Sequence, residues 1–166
     1  MLRDQNLILL SRQHQHALAL CVRIDRAVQT GEVDLEAWQA DMVQQFQAEI
    51  AIHFAAEEKE LFPVAQHLPG LKPLVDELLG EHAVLRNYFA LAAGRKLDVG
   101  ELHTFAGNLS THIRKEERQL FETLQKSVPP AEMAALGAKL EKALKDAAQA
   151  CALPNPATVL RPRSDP

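Results

Sequence analysis

The sequence has few cysteines and few glycines. Its 166 residues include two cysteines and seven glycines. Cys21 and Cys151 stand far apart and outside any Cys-x-x-Cys motif, so neither a disulfide framework nor a cysteine zinc site is expected. This cysteine usage favours a reduced, cytoplasmic setting. Clusters of β-branched residues are almost absent, which argues against a sheet.

The chain also lacks an excess of positive charge and a long apolar run. Its net charge is −4 and its lysines and arginines are scattered, so we expect no basic face for nucleic acid or an anionic membrane. The apolar run at 7–10 is too short for the core of a signal peptide, and no small-residue cleavage pattern follows it. No stretch approaches the length of a membrane span. The sequence therefore predicts a soluble protein without nucleic-acid or membrane partners.

Helix-forming residues dominate what is present. Alanine, leucine, glutamate and glutamine are abundant, and 47% of the residues are apolar, which suits one compact domain with its own core. Turn and capping residues then divide the chain into predicted helices. The predicted boundaries are Thr30-Gly31 after the first helix, Asp34 and Pro69-Gly70 around the second with a kink at Pro63, Pro73 and Gly94 around the third, Asp98 and about Lys126 around the fourth, and about 131–150 for the fifth.

Four long helices with short connections favour an all-α fold, an antiparallel four-helix bundle over residues 1–128. A shorter, alanine-rich accessory helix is predicted within 129–152. Residues 153–166 are expected to form a flexible tail, because they have too little apolar content to pack. Two roles for the accessory helix stay open: it covers one end of the bundle, or it pairs two chains as a homodimer.

Two ten-residue segments, 53–62 and 112–121, are near copies of each other. Each starts with a histidine, has a pair of glutamates beginning four residues later, and ends in Leu-Phe. Residues four apart share a face of a helix, so His53 with Glu57 and His112 with Glu116 each present an imidazole and a carboxylate to one point. The repeat therefore predicts two equivalent pairs of metal ligands, each with one histidine and one glutamate.

Two further histidines have the spacing of core residues. His82 has leucines one turn before and one turn after it, and His14 lies on a stripe with Leu10, Leu18 and Cys21. Counting residues from the helix ends, at about 1.5 Å each, places these two histidines at the same height in the bundle as the two histidines of the repeat. All four are predicted to lie in one layer.

Some neighbouring residues remain alternatives to these ligands. His16 is flanked mainly by polar residues at helical spacing, so we expect it to face solvent and prefer His14. Glu58 is expected on a solvated face, whereas Glu117, five residues after the last of the four histidines, also lies within reach of the layer. Glu49 lies one turn before His53 and could accept a hydrogen bond from it. An isolated acidic residue, however, more often faces solvent.

A metal centre explains this set better than isolated core histidines do. A single buried histidine is usually a hydrogen-bonded core residue, but buried carboxylates beside four of them require compensating positive charge. Imidazole and carboxylate without thiolate suit iron, manganese or zinc. If two six-coordinate ions share both glutamates and an oxo or hydroxo bridge, about two coordination positions stay open. Open positions on an iron pair can bind dioxygen, peroxide or nitric oxide.

One histidine on each of four successive helices, with a glutamate four residues after the second and the fourth, resembles the hemerythrin-like domain, also called the HHE cation-binding domain. The resemblance covers about residues 5–127. It implies an up-down-up-down bundle around two non-haem irons, with two histidines on each iron and both glutamates bridging. The ligands that it implies are His14, His53, Glu57, His82, His112 and Glu116.

Two positions depart from the oxygen-carrying hemerythrins. Arg86 stands where those proteins have a second histidine one turn after the third-helix ligand, and Glu117 stands where they have an aspartate. Both departures argue against simple reversible oxygen transport. The favoured function is binding of dioxygen or nitric oxide for sensing, scavenging or iron handling. The alternatives are a diiron enzyme with peroxidase or oxidase activity and a structural bundle with zinc or no metal; with no catalytic base or substrate pocket evident, the sequence does not separate the first two.

Overall fold

The computed structural model describes residues 2–149 and 156–159, and these residues form helices and turns without a strand. Helix α1 spans Ile8–Thr30 and follows a 3-10 turn at Gln5–Leu7. It ends as predicted, because Gly31 adopts the left-handed conformation, with φ of 71°, and its N–H donates to the last carbonyl groups of the helix. Within the described residues, no helix is long and apolar enough to cross a membrane.

The second helical rod, α2, runs through residues 35–65 and contains two π-helical turns. Asp34 caps it by accepting a hydrogen bond from the Ala37 N–H. Pro63, which lacks an N–H, comes just after the second π turn, and the rod ends before the predicted Pro69-Gly70. Its parts in order are Leu35–Gln45, the π turn Phe46–Ile50, Ala51–Ala56, the π turn Glu57–Leu61, and Phe62–Ala65.

Helix α3 spans Lys72–Ala93, and the next rod, α4, runs through residues 99–127. Asp98 and Glu101 form the predicted capping box at its start. The accessory helix α5 spans Pro130–Gln149. The parts of α4 are Val99–Lys115, the π turn Glu116–Leu120, and Phe121–Ser127.

Helices α1 to α4 form the predicted antiparallel bundle, in which α1 packs against α4 and α2 packs against α3. Its core has two apolar clusters. One includes Leu10, Leu61 and Leu78, and the other includes Trp38 and Phe105. On α1 and α3 the change from one cluster to the other falls at His14 and His82, and on α2 and α4 it falls next to Glu57 and at Glu116. A polar layer therefore divides the core.

Helix α5 packs along the outside of the bundle, against the N-terminal 3-10 turn and the middle of α2. Its buried residues extend the first apolar cluster of this same chain, so the helix covers a flank of the bundle and not an end of it. These residues are Met133, Leu136, Leu140 and Leu144.

The C-terminal segment differs from the expected unpacked tail at one point. A 3-10 turn at Pro156–Thr158 lies against α2, and Thr158 is 2% exposed. The expectation rests on low apolar content, whereas this contact is polar. The Thr158 hydroxyl donates to Asp41 Oδ2 at 2.8 Å, and Arg23 donates to both residues. Residues 153–155 and 160–166 of the predicted tail lie outside the described residues.

The close approach of α5 to the N-terminal turn gives the first prediction. A Cβ at Gly137 would lie 2.3 Å from Asn6 Oδ1, and Asn6 is held by a hydrogen bond to Asp4. Gly137→Ala should therefore destabilise the protein by about 1–3 kcal/mol through overpacking. The measurement is denaturant unfolding of the metal-free protein, followed by circular dichroism.

Gly107→Ala is the matched control, because a Cβ there meets nothing within 4 Å in the interior of α4. Alanine should stabilise that position by about 0.5–1 kcal/mol. Equal changes at the two glycines would show that α5 does not approach Asn6 this closely.

Candidate metal centre

Four buried histidines face one another at the centre of the bundle, one from each long helix. His14, His53, His82 and His112 are at most 5% exposed. Their Nε2 atoms meet in pairs, at 3.0 Å between His14 and His53 and at 3.1 Å between His82 and His112. The predicted layer of histidines is therefore present, with the Nε2 atoms directed inward.

Glu57 lies between the two histidine pairs and faces both of them. It is 0% exposed and is the first residue of the π turn in α2. Its Oε1 lies 3.2 Å from His53 Nε2, and its Oε2 lies 3.4 Å from His82 Nε2. One carboxylate thus presents one oxygen to each pair.

Glu116 takes the equivalent position on α4. It also is 0% exposed and begins a π turn. Its Oε2 lies 3.1 Å from His14 Nε2, and its Oε1 lies 3.4 Å from His112 Nε2. The two glutamates therefore join two four-residue groups, each with potential ligand atoms within 4.8 Å of one another. These groups are His14, His53, Glu57 and Glu116, and Glu57, His82, His112 and Glu116.

The layer is short of positive charge. Neither oxygen of Glu57 or Glu116 has a hydrogen-bond partner, although all four atoms are buried. Each histidine Nδ1 faces a side-chain oxygen, which fixes the proton on Nδ1 and leaves a lone pair on Nε2 of the neutral ring. Lone pairs at 3.0 Å repel unless a proton or a metal ion lies between them. Cations fit this donor set.

The pKa shifts in the metal-free protein have the same origin. Burial lowers the pKa of His14, but the neighbouring carboxylates of Glu116 and Glu117 outweigh burial and raise that pKa to about 10. Burial also lowers the pKa of His82, and Glu57 raises it overall. Burial raises the pKa of Glu57, but the imidazoles of His53 and His82 bring it well below its usual value. Without a metal, protons on His14 and His82 contribute compensating charge.

Glu117, an alternative metal ligand in the sequence, lies outside the inner layer and contacts His14 from behind. Its Oε1 is 2.7 Å from His14 Nδ1 and also accepts a hydrogen bond from the Ser11 hydroxyl. Arg3 forms an ion pair with its other oxygen. Burial raises the pKa of Glu117, but His14, Ser11 and Arg3 together lower it to about 2. Glu117 therefore orients His14.

Glu58 was expected on a solvated face, and the structure corrects this. Its side chain is 29% exposed, and its Oε1 lies 2.8 Å from His82 Nδ1 and 2.7 Å from Arg86 Nη1. Burial raises the pKa of Glu58, but Arg86 and His82 lower it overall. The π turn that begins at Glu57 directs Glu58 towards the neighbouring helix. Arg86 therefore positions Glu58 and does not face the His82 Nε2 atom.

Two partners of the histidines were missed by the sequence reasoning. Gln13 Oε1 lies 2.8 Å from His53 Nδ1, and Glu81 Oε2 lies 2.8 Å from His112 Nδ1. Glu81 also forms an ion pair with Lys115. Both partners share one signal that could have identified them: each immediately precedes a core histidine of its own helix and contacts the histidine of an adjacent helix.

His16 does not reach the layer. Its side chain is 66% exposed, and its Nδ1 lies 3.1 Å from Glu49 Oε2. This is the solvent-facing position that its helical phase predicts. Glu49 itself is less exposed than expected, at 18% of its side chain.

A small cavity leads from Glu49 to the histidine layer. It has room for roughly one water molecule. Glu49 is its one lining residue that is not buried, so the cavity opens to solvent there. The remaining lining residues are Gln13, His14, Ala17, Ile50, His53, Phe54, Leu109, His112, Ile113 and Glu116.

The comparisons with known proteins agree with the geometry. The family described as hemerythrin HHE cation-binding domain matches residues 7–124, a range that includes all four histidines and both bridging candidates. The chain therefore belongs to the hemerythrin HHE cation-binding domain family. Neither the search of curated proteins nor the search of solved structures found a match.

The geometry predicts different consequences for two neighbouring histidines of α1. His14→Ala should reduce bound metal from about two ions per chain to about one or fewer, because it removes an inward Nε2. His16→Ala should leave the metal content unchanged, since that side chain is exposed. Elemental analysis after dialysis measures both. Equal loss in the two variants would place His16 at the centre as well.

Proposed function

We propose that this chain is a cytoplasmic, non-haem diiron protein that binds dioxygen or nitric oxide at a carboxylate-bridged iron pair, in sensing, scavenging or iron handling. The observation that carries the proposal is the placement of Glu57 and Glu116, each with one oxygen towards either histidine pair. A carboxylate in that position can bridge two cations. Membership of a cation-binding family supports the same interpretation.

The donor set favours iron among the candidate metals and leaves manganese and zinc to be tested. Each position would have two imidazole nitrogens and one oxygen from each glutamate, a set that suits borderline divalent and trivalent ions. Cys21 is no competing soft ligand: it lies 2% exposed outside both four-residue groups, and burial raises the pKa of its thiol to about 12. Four protein ligands on a six-coordinate ion leave positions for a shared oxygen bridge and for an external ligand.

The size of the cavity supports a diatomic ligand. Room for about one water molecule suits a ligand as small as dioxygen or nitric oxide. Its walls beyond Glu49 are largely apolar, with side chains such as Ile50, Phe54 and Leu109. Iron bound there would supply the electrons that dioxygen chemistry requires and would bind nitric oxide in its ferrous form. The protein residues exclude bulk water and hold the imidazoles in place.

The metal content and optical spectrum of the aerobically purified protein test the proposal. We expect about two irons per chain and near-ultraviolet charge-transfer bands, which zinc does not give. The reduced protein should then bind nitric oxide, measured by absorbance and electron paramagnetic resonance. Two zinc ions and no response to nitric oxide would contradict it. Catalytic loss of added hydrogen peroxide would instead favour the enzyme alternative.

Removal of the charge of either bridging candidate should dissociate the centre. In Glu57→Gln or Glu116→Gln, the two cations would share one anion fewer, and their mutual repulsion should expel at least one. We expect about one iron or fewer per chain, measured by elemental analysis. Glu60→Gln is the control, because Glu60 belongs to the same π turn but, among the described residues, forms an ion pair with Lys59 alone, at 3.9 Å. Unchanged iron in both test variants would reject the bridging roles.

A further inference from the structure

The outer partners of the four histidines follow a near two-fold repeat. The residue after each bridging candidate contacts a histidine of a neighbouring helix: Glu58 contacts His82, and Glu117 contacts His14. The first half of the chain, α1 and α2, is thus related to the second half, α3 and α4. Glu58 and Glu117 occupy equivalent positions in the two halves, and each accepts a hydrogen bond from a histidine Nδ1–H.

The repeat is broken at one pair of positions. The residue before the core histidine of α3 is Glu81, which contacts His112, whereas the residue before the core histidine of α1 is Gln13, which contacts His53. Both contacts are 2.8 Å long. The geometry is therefore the same and the charge differs: His53 alone of the four histidines has a neutral partner.

This difference separates the two halves of the layer. The His82–His112 pair has two carboxylate partners, Glu58 and Glu81. The His14–His53 pair has one carboxylate and one amide. A carboxylate that accepts from an imidazole N–H raises the basicity of the opposite nitrogen, and loss of such a partner typically weakens metal binding about 10–100-fold.

We propose that Gln13 makes the two metal positions unequal, so that the first metal ion occupies His82 and His112 and the second, more labile ion occupies His14 and His53. This inference rests on the proposed two-metal centre. Gln13 acts as a positioning residue through His53. It also lines the cavity, so the position with lower affinity is the one nearer to solvent access.

Stepwise loading with Co²⁺ tests the order of occupation. Chelator-stripped protein receives one equivalent of Co²⁺, and proton NMR records the exchangeable, paramagnetically shifted Nδ1–H signals. We expect one pair of signals in the wild type and the same pair in His53→Ala, which keeps the other position intact. A second pair should emerge only with the second equivalent. Signals from all four histidines at one equivalent would overturn the order.

Gln13→Glu restores the repeat and should strengthen the second binding step about 10–100-fold, measured by competition with a fluorescent chelator. Gln15→Glu is the matched control: it makes the same change two residues away on the exposed side of α1, and its effect should be small. Equal effects of the two variants would show that net charge alone changes the affinity, and would reject a specific role for Gln13.

The double variant Gln13→Glu/Glu81→Gln exchanges the two partners and should reverse the order. Its first equivalent of Co²⁺ should give the His14 and His53 signals. Glu81→Gln alone weakens the first step, and so tests the inference without a new buried carboxylate. If the wild type binds two ions and the order is unchanged in every variant, the role of Gln13 is rejected and the proposed two-metal centre stands. If the wild type binds fewer than two ions, both this inference and the proposed centre are rejected.

Discussion

The buried charge of Glu57 and Glu116 is the constraint on which the rest of the structure depends. Both residues are 0% exposed, and their oxygens have no hydrogen-bond donor. An unpaired ionised carboxylate costs several kcal/mol in such a place, so the surrounding groups must supply positive charge. Protons on His14 and His82 supply part of it, and bound cations would supply it more fully. The two apolar clusters on either side of the layer keep bulk water from sharing this role.

The π turns show how the chain directs several side chains from one short segment. Two of the three described π turns begin at a bridging candidate, and in both the next residue contacts an imidazole of a neighbouring helix. A π turn adds a residue to the helical repeat and changes the direction of the side chains, and such turns are frequent at functional sites. The repeat at 53–62 and 112–121 thus encodes an inner ligand and an outer partner together.

Local signals were sufficient for the helices and the inner residues. Gly31, Asp34 and the capping box at Asp98 mark boundaries because their chemistry acts within one turn. The phase of His14 against His16 followed from apolar neighbours on one helix. The histidines that Glu58 and Glu81 contact could not be assigned in this way, because those histidines lie on adjacent helices and the contacts depend on how the helices are rotated. Sequence spacing along one helix carries no information on that rotation.

Segments outside the family match also support the centre. Arg3 precedes residues 7–124, yet it pairs with Glu117, which orients His14, and it donates to Gln125 at 2.7 Å. Helix α5 lies beyond the match and packs on the 3-10 turn that follows Arg3. The contact of Gly137 with this turn therefore connects the accessory helix, through the N-terminal segment, to one histidine of the layer. The accessory helix thus packs on a segment that itself contacts the candidate metal centre, in addition to covering the flank of the bundle.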